Sequence, residues 1–200
     1  DTTGRMLLGT DMQTALPLFI DLGVDVFGMN CSTGPDEMRE SVRFLTENCP
    51  MSVSVIPNAG MPENIDGVAL YRLAPEAMKK TVTEYIDHFG VNFIGGCCGT
   101  QPPHIEALVQ AAAGKKPKDR KVPVSRIATS AINNVNFDMD NKPIIVGERL
   151  NSQGSRIFKQ LLLDDNYEKM LQIARDLTDG GSHLLDVCVA LNERDDEKDQ

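Results

Sequence analysis

The residues best placed to do chemistry in this chain are its cysteines. Cys97 and Cys98 are adjacent in the stretch GGCCGT, Gly95 to Thr100, directly after the apolar run Val91 to Ile94. Cys31 has a similar setting in NCSTGP, Asn30 to Pro35, after the apolar run Val24 to Met29. Neighbouring thiols have three explanations: a disulfide, two small core hydrophobes, or metal ligands. A disulfide between neighbours closes a strained ring. An odd total of five cysteines, with no secretory segment, fits a reducing cytoplasm better than a disulfide framework. Free cysteine does pack as a small hydrophobe, so unconnected core thiols remain an alternative. In a straight strand adjacent side chains point to opposite faces. Glycines on both sides let the chain leave that geometry and turn both sulfurs to one point. Three thiolates without a fourth protein ligand suit a catalytic zinc, which keeps one position open for substrate. Soft sulfur donors select zinc over magnesium or calcium. Such a zinc can take a further sulfur and hold it deprotonated, ready to attack carbon.

The elements that would position these thiols alternate. Helical patterns over 10–22, 35–48, 75–89 and 103–113 alternate with strand patterns over 24–29, 52–56 and 91–94. In 35–48, Pro35 opens the helix, Asp36 and Glu37 occupy its first turn, and Met38, Val42 and Leu45 share one face. The alternation predicts an α/β fold with a parallel sheet covered by helices. In parallel barrels the working residues follow the carboxyl ends of the strands. Reading off those ends gives Asn30 and Cys31, then Asn58 and Gly60 in PNAGMP, then Cys97 and Cys98. A second alternating pattern has strands over 143–147 and 184–187 and helices over 155–163 and 167–179. Between the two lies a polar, basic, proline-broken stretch, GKKPKDRKVP, which reads as a solvated linker. The domain expectation is 1–113, a linker over 114–141, and 142–200.

Composition narrows the partners. A net charge of −9 argues against nucleic acid, since little here would displace phosphate counterions. No apolar run approaches membrane-spanning length. The chain opens on DTTGR and ends on NERDDEKDQ, and both ends read as cuts through a longer protein.

MNCSTGPDEM, IPNAGMP and FIGGCCGTQPPHI resemble the zinc motifs of the homocysteine S-methyltransferase family. VGERLNSQGS followed by LLDV is similar to the opening of a pterin-binding domain. In this order the two resemble the cobalamin-dependent, methyltetrahydrofolate-using members of that family. The resemblance implies the C-terminal part of a homocysteine-binding (β/α)8 TIM barrel, followed by the start of a second, pterin-binding (β/α)8 barrel. DTTGRMLLGT resembles the segment after the first barrel's fifth strand. It further implies that Cys31, Cys97 and Cys98 hold Zn2+, that homocysteine sulfur takes the open position, and that Asn58 lines the same mouth. Glu148 and Asn151, expected just past a strand end, would meet the donor and acceptor edge of methyltetrahydrofolate's pterin. Asp186, at the end of the next strand, would add a third contact. Taken singly, Glu148 and Asn151 also fit as caps of the following helix. Where many relatives have asparagine this chain has Cys188, read as a packing residue, and Cys49 as a bystander. His104 reads as structural, and His88 and His183 lack a partner pattern. No corrin-binding Asp-x-His-x-x-Gly stretch is present, so cobalamin would be carried by another domain of the full chain or by a separate corrinoid protein. Two other readings stand beside this one. One keeps homocysteine but takes betaine or S-methylmethionine as donor, and the other is a non-catalytic zinc module.

Overall fold

Strand β2 (Ser52–Ile56) sets the pattern of the first half. Val53 and Val55 are fully buried, while Ser52, Ser54 and Ile56 alternate with them on the other face. On its neighbour β1 (Val26–Asn30), Phe27 and Met29 pack into the same core as Val53 and Val55. At the middle of the opposite face Gly28 pairs with Ser54, so closely that a Cβ at position 28 would clash with the Ser54 carbonyl oxygen. The third strand, β5 (Phe93–Ile94), completes a parallel sheet in the order β1-β2-β5.

The computed structural model describes residues 4–123, 126–138 and 143–191, which fall into two compact units, Asp1–Asn134 and Val135–Gln200. In the first, α1 (Met12–Asp21) starts at Asp11, whose carboxylate accepts the Thr14 N–H at 2.8 Å. Helix α2 (Pro35–Asn48) puts Met38, Val42 and Leu45 into the sheet's core beside Tyr85 and Val91. Helix α3 (Pro75–Glu84) runs into one π-helical turn, Tyr85–Phe89, and stops at Gly90, which takes a left-handed φ of 77°. It packs on α4 (Pro102–Ala112) through Met78, Val82, Ile86, Leu108 and Ala111. The helix and strand expectations for this half match to within a few residues. A hairpin absent from them, β3 (Glu63–Ile65) and β4 (Val68–Leu70), rises between β2 and α3. Two short strands, β6 (Ile127–Thr129) and β7 (Asn134–Asn136), lie where the units divide.

The stretch read as a solvated linker is tied down. Arg120 donates to the carbonyls of Cys49 at 2.9 Å and Met51 at 2.6 Å. Lys118 donates to the His88 carbonyl at 3.1 Å, and Lys115 pairs with Asp87. Residues 115–120 therefore cross the end of the sheet at which β2 begins.

In the second unit, β8 (Val146–Asn151) and β9 (Leu184–Cys188) pair in parallel under α5 (Arg156–Leu163) and α6 (Tyr167–Asp179). Leu150, Phe158, Leu162, Met170, Val189 and Leu191 form its core. The strand expected over 143–147 begins and ends later. Glu148 therefore lies in mid-strand and Asn151 is the strand's last residue, rather than both following it; Asp186 is likewise central in β9. The irregular register between Gly147 and Leu150 explains the displacement, because it extends pairing past the charged Glu148–Arg149 step. The acidic tail, 193–199, lies outside the described residues. The fold class is mixed α/β, and no described helix is long and apolar enough to cross a membrane.

Candidate metal centre

The three loops that follow β1, β2 and β5 are bonded to one another in the order of their strands. Cys31 N–H donates to the Ile56 carbonyl at 2.9 Å, and Asn58 N–H to the Thr33 carbonyl at 3.0 Å. On the other side Cys97 N–H donates to the Pro57 carbonyl at 2.8 Å, and Ala59 N–H to the Cys98 carbonyl at 2.9 Å. The middle loop thus clips both cysteine loops. Glycine lets them meet: a Cβ at Gly34 would lie 2.7 Å from the Gly60 Cα.

Cys31 and Ser32 both adopt left-handed φ, 62° and 68°, which costs free energy for residues with a Cβ and is kept where surrounding structure enforces it. The turn brings the Cys31 sulfur to 3.5 Å from the Cys98 Sγ, and Cys98 and Cys97 sulfurs are 3.9 Å apart. All three sulfurs lie within 4.8 Å of one another. A tetrahedral zinc with bonds of about 2.3 Å separates its sulfurs by about 3.8 Å, so the donor set and its spacing fit that metal. Cys31 and Cys97 are half-buried and Cys98 is exposed, which leaves one side of the cluster open. Among the described residues no histidine, carboxylate or fourth cysteine joins the group.

The electrostatics follow from crowding. The Ser32 backbone N–H, then the Cys98 and Cys97 thiols, hydrogen-bond the Cys31 sulfur and pull its pKa down. Cys98 is pushed up, first by its hydrogen bond to Cys31 and then by Cys97. Asn58 is fully buried beneath the cluster, with Oδ1 accepting the Cys98 N–H at 3.2 Å. His104 belongs to the scaffold: its Nδ1 accepts the Gln101 N–H at 3.1 Å, which leaves Nε2 to donate to the Leu73 carbonyl at 2.8 Å. Cys49 is wholly buried in the sheet's core, remote in the fold from the cluster, and desolvation raises its thiol pKa.

A family model for homocysteine S-methyltransferase matches residues 1–112. The chain belongs to the homocysteine S-methyltransferase family. Methionine synthase of Mycobacterium tuberculosis (strain ATCC 25618 / H37Rv) is 40% identical to it over 195 residues, 98% of this chain and 16% of that protein. Methionine synthase of Mycobacterium leprae (strain TN) is 40% identical over 194 residues, 94% of this chain and again 16% of the relative. The chain thus spans about a sixth of the length of these curated relatives, and the family match covers the half that carries the thiols.

In the second unit Asn151 and Asp186 come together, with Asn151 Nδ2 donating to Asp186 Oδ2 at 3.3 Å. Asn151 Oδ1 accepts the N–H groups of Gln153 at 2.9 Å and Gly154 at 3.2 Å, so this residue does cap its loop. Glu148 is exposed on β8, and Cys188 is half-buried opposite Asn151. Sequence reasoning missed Tyr71, whose ring lies against Gly99 next to the thiol pair. The signal was available: Asp66-Gly67 between two short β-prone runs marks the hairpin that delivers it.

Proposed function

We propose that this chain is part of a methionine synthase, which passes a methyl group from methyltetrahydrofolate by way of cobalamin to homocysteine. Cys31, Cys97 and Cys98 hold zinc in this reading. Zinc held there would supply a Lewis acid with a position open to the homocysteine sulfur, favouring its thiolate form at neutral pH. The chain's own residues set the conditions. Three thiolates leave the site negatively charged, which keeps the substrate sulfur electron-rich. The open side beside Cys98 admits both the amino acid and the methyl donor. Asn58 fixes the two cysteine loops and lines the floor on which homocysteine rests. Residues 1–113 are the last part of a homocysteine-binding TIM barrel and 142–200 the first part of a pterin-binding one, joined by 114–141. Glu148, Asn151 and Asp186 take the pterin edge, and cobalamin comes from another domain or a corrinoid protein. The protein works in the cytoplasm, where thiols stay reduced.

The observation that carries the reading is the spacing of three sulfurs on one open face, within 4.8 Å of one another. A non-catalytic zinc module would close its metal with a fourth protein ligand. The test is zinc X-ray absorption on the full-length protein, with three sulfurs expected without homocysteine and four with it. Cys31→Ser, Cys97→Ser and Cys98→Ser should each lose metal and methylation together, while Cys188→Ser keeps both. A sulfur count that does not rise with homocysteine sinks the substrate-activating role.

A further inference from the structure

The turn that carries Cys31 is strained, and its far end is fastened by helix α3. Cys31 and Ser32 keep left-handed φ only where neighbouring structure enforces it. Ahead of the turn, Cys31 N–H is bonded to the Ile56 carbonyl, and within it Thr33 N–H donates to the Cys31 carbonyl at 2.8 Å. Behind it the chain enters α2 at Pro35 through Gly34, a cap position with no side-chain hydrogen bond. Three side chains of α3 and its π-helical turn close on that helix start. Thr81 Oγ1 donates to Asp36 Oδ1 at 2.9 Å, Glu84 pairs with Arg39, and the Tyr85 O–H donates to the Pro35 carbonyl. Positions 81, 84 and 85 share one helical face, beside the row of Met78, Val82 and Ile86 that packs on α4. Tyr85 is fully buried and Thr81 nearly so. Burying a hydroxyl costs free energy unless it is bonded, and phenylalanine and valine would fill the same space. Packing alone therefore does not account for these two residues.

We infer that Tyr85 and Thr81 are positioning residues of the metal centre: they hold the first turn of α2 and, through it, keep the strained Cys31 turn closed. Pro35 stands four residues after Cys31, so a helix start that drifts carries the turn with it. Cys97 and Cys98 sit on another loop, to which none of the three contacts runs. Loss of the clasp should thus open one corner of the cluster and leave two thiols in place. Residues that orient metal ligands commonly change metal affinity by about ten- to a hundredfold. The inference rests on the zinc reading above.

The experiment compares wild type, Tyr85→Phe, Thr81→Val and the double variant in the full-length protein, with cobalt(II) replacing zinc as a spectroscopic probe. Each change removes a hydroxyl and keeps the bulk. Val82→Ala, on the row that faces α4, is the stability control. The double variant should hold cobalt about tenfold more weakly against a chelator and show a weaker sulfur-to-cobalt charge-transfer band. Each single variant should fall between it and wild type. Val82→Ala should lower the unfolding midpoint at least as far, yet keep the wild-type affinity and band. A double variant with wild-type affinity and band overturns the inference. So does a Val82→Ala protein that loses metal to the same extent, because metal loss would then merely follow stability. A wild type that takes up no metal sinks the zinc reading and this inference together, whereas the first two outcomes leave that reading standing.

Discussion

The five cysteines differ in environment more than in chemistry. Cys31, Cys97 and Cys98 lie at an open strand end, while Cys49 has no exposed surface and donates weakly to the Met51 carbonyl at 3.6 Å. Thiolate is the reactive form, and burial suppresses it. Metal-free protein at pH 8 should therefore be alkylated first at the cluster, with Cys49 unlabelled until the fold opens. Peptide mass mapping after a timed iodoacetamide pulse checks this, and early Cys49 labelling would mean that the core is not closed. The raised Cys49 pKa also has a sign for stability. The neutral thiol is favoured in the folded state, so its contribution is complete below the unfolded pKa and is lost as pH rises through the folded one. Alkaline unfolding should thus be less steep in Cys49→Ala, which carries a small cavity cost of about 1 kcal/mol at neutral pH. Among polar residues Asn58 stands out. Asn58→Ala removes a buried carboxamide and orphans the Cys98 N–H, an expected loss of about 1–3 kcal/mol by urea unfolding.

The strap over 115–120 is the element whose behaviour departs most from its composition. Arg120 spreads its guanidinium over the carbonyls of Thr46, Cys49 and Met51 and the Asn92 side chain, at 2.6–3.4 Å. A planar fork can serve several acceptors at once; an ammonium cannot. Arg120→Ala should cost about 2–4 kcal/mol in urea unfolding, with Arg120→Lys recovering only part, since charge-assisted bonds are worth about 1.5–3 kcal/mol. Limited proteolysis should then cut within 115–121 before the rest of the first unit. If Arg120→Ala unfolds at the wild-type midpoint, the strap is decoration. The same segment shows where sequence is legible and where it is not. Amphipathic helices such as Pro35–Asn48 and the alternating Ser52–Ile56 announce themselves by period, because one face must be buried. The thiol loops were legible because glycine and cysteine at strand exits have few other uses. A lysine-rich stretch gives no hint that its one arginine will find carbonyls some seventy residues back in the chain. Nor does periodicity reveal the β8 irregularity, which carries that strand on through Glu148. Tertiary partners decide such details, and a local pattern cannot carry them.

At the scale of the molecule, the question is what two such units do together. The first presents a sheet in which, among the described residues, neither β1 nor β5 has an outer neighbour. Leu7 and Leu8 are exposed, Leu7 completely. Unpaired parallel strands and bare leucines favour association with another chain. The 200-residue chain alone should therefore associate at micromolar concentration in light scattering, and should show no methyl transfer from free methylcobalamin to homocysteine. A monodisperse, active monomer would refute this. Within the full-length protein the two units can be separated functionally instead. If the first activates homocysteine and the second takes methyltetrahydrofolate, damage to each should appear in a different half-reaction. Asp186 is the sharpest probe of the second, since its carboxylate meets Asn151 while contributing nothing to the core formed by Leu150 and Phe158. Asp186→Ala should lower methyltetrahydrofolate use by about tenfold or more, while transfer from supplied methylcobalamin to homocysteine stays near the wild-type rate. Cys98→Ser should give the converse, abolishing homocysteine methylation while the pterin half-reaction persists. Equal loss of both half-reactions in Asp186→Ala would mean a folding defect and would remove the pterin role from that residue.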